Sequence, residues 1–217
     1  MANEIFIYDD IGPAWMDMVD AKHVIDQLNK FSGKPVVVRI NSNGGDVNHG
    51  IAIYNALKRH RGGVTVAVDA IAASAASLVA MAGDKIEMAS NARMMVHNAW
   101  TFTAGNKEDH MRTIEILDAY DETLVETYAA RTGLSADDVR SLLTAETWMR
   151  AQPAVDKGFA DAVTGDSGII AAGLKEGRYR NTPQELIRNE LPRGQDRKRR
   201  EQDASLRMRL TRARFGR

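Results

Sequence analysis

Residues 64–98, VTVAVDAIAASAASLVAMAGDKIEMASNARMMVHN, hold side chains that could perform acyl transfer: two serines, Ser74 and Ser77, and one histidine, His97. A serine hydroxyl is a poor nucleophile until a base takes its proton, and imidazole is the side chain suited to do so near neutral pH. The small, apolar run over 72–81 reads as a buried helix. Ser74 then falls in its first turn, where free backbone N–H groups can stabilise an oxyanion, and Ser77 lies one turn deeper. His97 follows the apolar Met94, Met95 and Val96 in a strand expected over 92–98, so its surroundings can set its pKa and tautomer. Singly, each residue reads as ordinary packing; only the combination points to chemistry.

The elements before this stretch alternate strand and helix. A strand over 5–8 leads through the turn residues Asp9, Asp10, Gly12 and Pro13 to a helix carrying Val24, Ile25 and Leu28. A second strand, 36–40, ends in Asn41-Ser42-Asn43-Gly44-Gly45-Asp46, and a helix with Ile51, Ile53, Tyr54 and Leu57 follows. With the third strand opening at Val64, the layout calls for a parallel sheet. The Gly44-Gly45 turn stands between strand and helix, where bare N–H groups could face an oxyanion. Neither a phosphate-loop lysine nor the GxGxxG spacing accompanies it. Beyond His97 a long helix is expected over 108–132, with Met111, Ile114, Leu117, Leu124, Val125 and Tyr128 spaced three or four apart and Gly133 as its stop. A short helix over 136–143, the segment Glu146-Thr147-Trp148-Met149, a helix over 151–157 and a strand over 159–163 complete the pattern.

The 217 residues suit one α/β domain with an appendage, divided at 1–165 and 166–217. With no cysteine, disulfides, thiolate nucleophiles and Cys-ligated metals are excluded, and nothing calls for a metal or another cofactor. The first residues lack the pattern of a signal peptide or membrane anchor, so the expected location is cytoplasmic. A net charge of zero hides an asymmetry: residues 178–217 carry 13 basic and 5 acidic side chains, leaving 16 against 24 in the rest. The basic, partly disordered or helical extension, with short helices expected over 183–189 and 204–213, could contact nucleic acid or an acidic protein.

Four separated motifs, INSNGGDV, AIAASAASLVAMAGD, NARMMVHN and ETWMRAQPAVDKGFAD, occur in an order that resembles the Clp proteolytic subunit (ClpP) family of serine peptidases, over about residues 5–163. The resemblance implies a crotonase-like α/β spiral of βαβ units with a long protruding helix, homo-oligomeric rings stacked through that helix, and protein or peptide substrates. By motif position it implies Ser74 as nucleophile, His97 as general base, and Gly45 and Ala75 as backbone oxyanion donors. The third triad member, usually aspartate, falls on Glu146, with Asp138 and Asp161 as weaker substitutes. A carboxylate of either length can hold a histidine tautomer, so Glu146 is expected on His97 Nδ1.

The few residues before the first strand, the ETWM wording and the basic extension look more like ClpP-related head-maturation proteases of tailed bacteriophages, which cut capsid or scaffold proteins inside a prohead. Because the triad, both oxyanion donors and every expected strand lie before about residue 165, the extension is expected to be dispensable for chemistry and to serve location or partner choice. A housekeeping ATP-dependent subunit fed by an AAA+ unfoldase is the nearest alternative. A crotonase-like acyl-CoA enzyme would leave Ser74 and His97 without a joint role, and an inactive scaffold subunit is favoured only by Glu in place of Asp.

Overall fold

The computed structural model of the chain describes residues 3–166 and 178–187. The helix expected over 204–213 and most of the basic extension lie outside these residues. Strands β1 (Asn3–Ile7), β2 (Val36–Ser42), β3 (Val64–Ala73), β4 (Lys85–Ala89) and β7 (Ala162–Thr164) form a parallel path in the order β1-β2-β3-β4-β7. The sheet forks at β3. Its first half, Thr65 to Val68, pairs with β4, whereas Ile71, Ala72 and Ala73 pair in parallel with β5 (Arg93–Val96). Strand β6 (Thr147–Arg150) closes the branch antiparallel to β5, a departure from the all-parallel expectation.

Helices α1 (Ala21–Lys30), α2 (Val47–Lys58) and α3 (Ala75–Ala80) bury Val24, Leu28, Ile53, Leu57, Leu78 and Val79 in the same core as Ile5, Val38, Ile40 and Val66 of the sheet. Their starts follow local chemistry: the Asp20 carboxylate accepts from His23 N–H at 3.1 Å, and Asp46 accepts from His49 N–H at 2.9 Å. Helix α4 (Lys107–Thr132) opens with a capping box between Asn106 and Asp109 and stops at Gly133, whose φ of 75° is the left-handed conformation that glycine adopts without penalty. Its last turns bury Leu124, Val125 and Tyr128, while Met111, Ile114 and Ile116 on the first turns are exposed. Helices α5 (Ala136–Thr144) and α6 (Ala151–Asp156) flank β6.

The expected helix over 72–81 is shorter than its composition suggests. Residues 72 and 73 extend β3, because their backbones are taken by β5 and, at Ala72, by Ser42 of β2; this pairing overrides the helix preference of alanine. Strand β4 had no counterpart in the sequence reading. The helical turn expected over 183–189 is a single 3₁₀ turn, Gln184–Leu186. Among the described residues no helix is long and apolar enough to cross a membrane.

Candidate active site

Strands β3 and β5 run side by side with Ala73 opposite Met95, so the residues just beyond them emerge together at one end of the sheet. Ser74 is the first residue after β3, and His97 the first after β5. Ser74 Oγ lies 2.8 Å from His97 Nε2, hydrogen-bond distance for a hydroxyl passing its proton to an imidazole. The topology alone brings together these two distant residues.

Ser74 has φ 55° and ψ −127°, a backbone conformation that costs a non-glycine residue on the order of 1–3 kcal/mol and persists only where neighbours enforce it. The enforcing bonds are present. Ser74 N–H donates to Met95 O at 2.9 Å, and Ser74 O accepts from the N–H of Ser77 at 2.8 Å and from Ser77 Oγ at 2.7 Å. Ser77 Oγ is also 2.9 Å from the buried hydroxyl of Tyr128 on α4. Ser77, fully buried, is thus a strut under the strained turn, while half-buried Ser74 faces a cleft of about 1070 Å³. Such a strand-to-helix turn is how serine hydrolases lift a nucleophile out of a sheet.

Gly45 and Ala75 line the same cleft. Gly44 packs so closely on the turn that an added Cβ would lie 2.4 Å from Ala73 O and 2.7 Å from Ser74 Cβ. At Gly45, with φ 145°, a Cβ would sit 2.0 Å from Ile11 O, so only glycine can occupy the position. The turn is pinned by Ile11, which donates to Gly44 O and accepts from Asp46 N–H, both at 2.8 Å. Among the described residues the N–H groups of Gly45 and Ala75 have no partner in the turns and loops around them, which leaves them available to an oxyanion.

His97 is half-buried, and desolvation holds its pKa below the 6.5 of an ordinary imidazole. The negative charges of Glu146 and Asp121 oppose that shift, and the positive charges of Arg180 and Arg178 reinforce it. Asp121, on α4, accepts from the side chain of Asn98 and from Ala99 N–H at 2.6 Å, fixing the loop that leaves His97. No sequence signal distinguished it from the other acids of that helix.

Glu146 lies between α5 and β6 with φ 50°, only 4% exposed, and shares a second cleft with His97. No hydrogen bond joins its carboxylate to the imidazole. Its two oxygens are taken instead by residues 178–187: Oε2 accepts from Arg180 N–H at 2.9 Å and Oε1 from Asn181 N–H at 2.6 Å, with the Trp148 indole N–H at 3.4 Å. The other acids considered are committed elsewhere. Asp138 accepts from Ser135 at the start of α5, and Asp161 is bound to Arg131 at 2.7 Å and to Ile86 N–H at 2.6 Å.

Sequence reasoning missed Tyr179. Its ring meets His97 edge-on, with centroids 5.1 Å apart, and its hydroxyl donates to Asn43 O in the turn before Gly44. The only hint was an aromatic in a polar, basic stretch.

The profile of a family described as Clp protease matches residues 2–167. Among curated proteins the chain is similar to ATP-dependent Clp protease proteolytic subunit 1 of Chlamydia abortus, 31% identical over 138 residues, covering 60% of this chain and 70% of the relative. It is also similar to the subunit of that name in Leifsonia xyli subsp. xyli, at 27% over 144 residues, covering 65% and 73%.

Proposed function

Because the chain belongs to the Clp protease family, whose members are serine peptidases, we propose that it cleaves peptide bonds within proteins through an acyl-enzyme on Ser74. The observation behind this reading is the 2.8 Å contact between Ser74 Oγ and His97 Nε2 at a strained turn. As Oγ attacks the scissile carbonyl carbon, its proton passes to Nε2, and the carbonyl oxygen becomes an oxyanion facing the N–H groups of Gly45 and Ala75. Nε2 then gives the proton to the leaving amine, so the C–N bond breaks and an ester to Ser74 remains. Neutral His97 next deprotonates a water; its attack releases the acid product and restores the serine. Glu146 is the acid whose charge stabilises the imidazolium. Burst kinetics on an activated ester test the scheme: a stoichiometric burst supports it, and a burst surviving Ser74→Ala refutes it.

The setting we propose is phage or prophage head maturation, with capsid or scaffold protein as substrate, in the host cytoplasm or prohead interior. The ETWM segment and the basic extension support it. The second reading, an ATP-dependent proteolytic subunit, is favoured by the names of the similar proteins. Purified chain incubated with coat and scaffold proteins separates the two. Limited cleavage without nucleotide supports maturation, whereas degradation that requires an unfoldase and ATP supports the other.

A further inference from the structure

We propose that residues 178–181 are a positioning element of the peptidase site, with Tyr179 buttressing the His97 imidazole and the backbone N–H groups of Arg180 and Asn181 fixing the Glu146 carboxylate beside it. This rests on the reading of Ser74 and His97 as nucleophile and base.

Tyr179 is 7% exposed, although it belongs to a stretch rich in charge and poor in apolar residues. It fills a small cluster with Ile71, Ala73 and Met95, bordered by Trp148 and Leu186. Ala73 immediately precedes the nucleophile, and Met95 stands two residues before the base. With its ring on His97 and its hydroxyl on Asn43 O, this one side chain touches both catalytic strands, the imidazole and the turn that carries Gly45. Removing it would open the back of His97 to water and free the ring to rotate off Ser74.

The neighbouring backbone acts on the acid. A carboxylate on a flexible glutamate arm has more rotamers than the usual aspartate, and ordering it demands fixed donors. Two successive N–H groups supply one donor to each oxygen. The segment is itself tied down. Arg178 Nη1 reaches Asp10 Oδ2 at 2.6 Å, Asn181 Nδ2 donates to Ala145 O at 2.8 Å, and Thr182 Oγ1 donates to Tyr179 O at 3.1 Å. Asp10 adjoins Ile11, the residue that pins Gly45, so the anchor spans from acid to oxyanion turn.

The test uses the full chain and four variants, Tyr179→Ala, Tyr179→Phe, Asn181→Pro and Asn181→Ala, with thermal melting to confirm folding. Turnover of a short activated peptide is followed against pH. A fluorophosphonate reports which serine is acylated. Misplacing a base or its acid by about 1 Å costs on the order of 100-fold. Tyr179→Ala should therefore lower kcat about 10- to 100-fold with KM little changed. The acid limb of its kcat/KM profile should move to higher pH as His97 gains water, with Glu146, Asp121, Arg178 and Arg180 still facing the ring. Tyr179→Phe should recover most of the loss. Asn181→Pro, which deletes the N–H to Glu146 Oε1, should lose more kcat than Asn181→Ala, which keeps it; this pair decides the matter if Tyr179→Ala does not fold. Unchanged kcat and pH profile in Tyr179→Ala, or equal kcat in the two Asn181 variants, would overturn the proposal. A rise in turnover would also overturn it and make the segment an inhibitory strap. A parent chain acylated at Ser74 with undisturbed variants sinks this inference alone, and a parent not acylated there sinks the mechanism as well.

Discussion

At the scale of single residues, the two serines of the AIAASAASL stretch have separate duties. Ser74 is strained and faces a cleft; Ser77 is buried and braces it through Ser74 O and Tyr128. Ser74→Ala should lower turnover on the order of 10⁴- to 10⁶-fold with melting temperature little changed. Ser77→Ala should retain chemistry but melt lower, since it strands the Tyr128 hydroxyl and loosens the turn, at roughly 1–3 kcal/mol. The depressed pKa of His97 carries a signed consequence for pH. The folded chain binds that proton less tightly than the unfolded chain, so stability is retained above the ordinary value of 6.5 and declines as pH falls below it. The neutral base likewise persists to lower pH, and the acid limb of kcat/KM should fall below 6.5. A limb above 6.5 would mean that the negative charges of Glu146 and Asp121, not desolvation, control the ring.

At the scale of elements, strands and helices before Ser74 were legible because their periodicity and turns agree, and the structure adds the caps: β2 alternates buried and half-buried positions, and Asp20 and Asp46 cap the helices that follow them. The turn holding Ser74 was less so. Alanine-rich sequence favours a helix from 72, but the β5 branch claims residues 71–73, and although a strand over 92–98 was expected, no local pattern says that it pairs with the end of β3. Gly44 and Gly45 were legible as a turn, and the structure supplies the reason: Ile11, Ala73 and Ser74 leave no room for a Cβ. Gly45→Ala should accordingly push the turn off Ile11 and cost at least on the order of 10²-fold in kcat, the price of a misplaced oxyanion donor. A Gly45→Ala chain with full turnover would remove this turn from the mechanism. What remained illegible was the acid's surroundings. Glu146 was identified by its motif, but its partners come from residues 180 and 181, whose N–H groups leave no trace in side-chain identity.

At the scale of the whole molecule, α4 extends about 39 Å at 1.5 Å per residue, and only its last turns are covered. Met111, Ile114 and Ile116 stay 51–57% exposed, with Trp100 and Phe102 nearby in sequence and also exposed. An apolar helix end of this kind fits the rings the family forms. Ile114→Glu with Ile116→Glu should shift sedimentation toward smaller species, and an unchanged assembly would place the contact elsewhere. The sequence reading set residues beyond 165 apart from catalysis, yet residues 178–187 pack on the site, because a buried tyrosine, the Arg178–Asp10 pair and the N–H bonds to Glu146 dock a segment whose composition otherwise suggests a solvated tail. The central claim is that forking the sheet at β3 delivers one serine, Ser74, to His97 as the nucleophile. Fluorophosphonate labelling of the assembled chain followed by peptide mapping tests it most directly. A single stoichiometric adduct on Ser74 is expected, lost in both Ser74→Ala and His97→Ala; an adduct on Ser77, or labelling that survives either substitution, would contradict the assignment of Ser74.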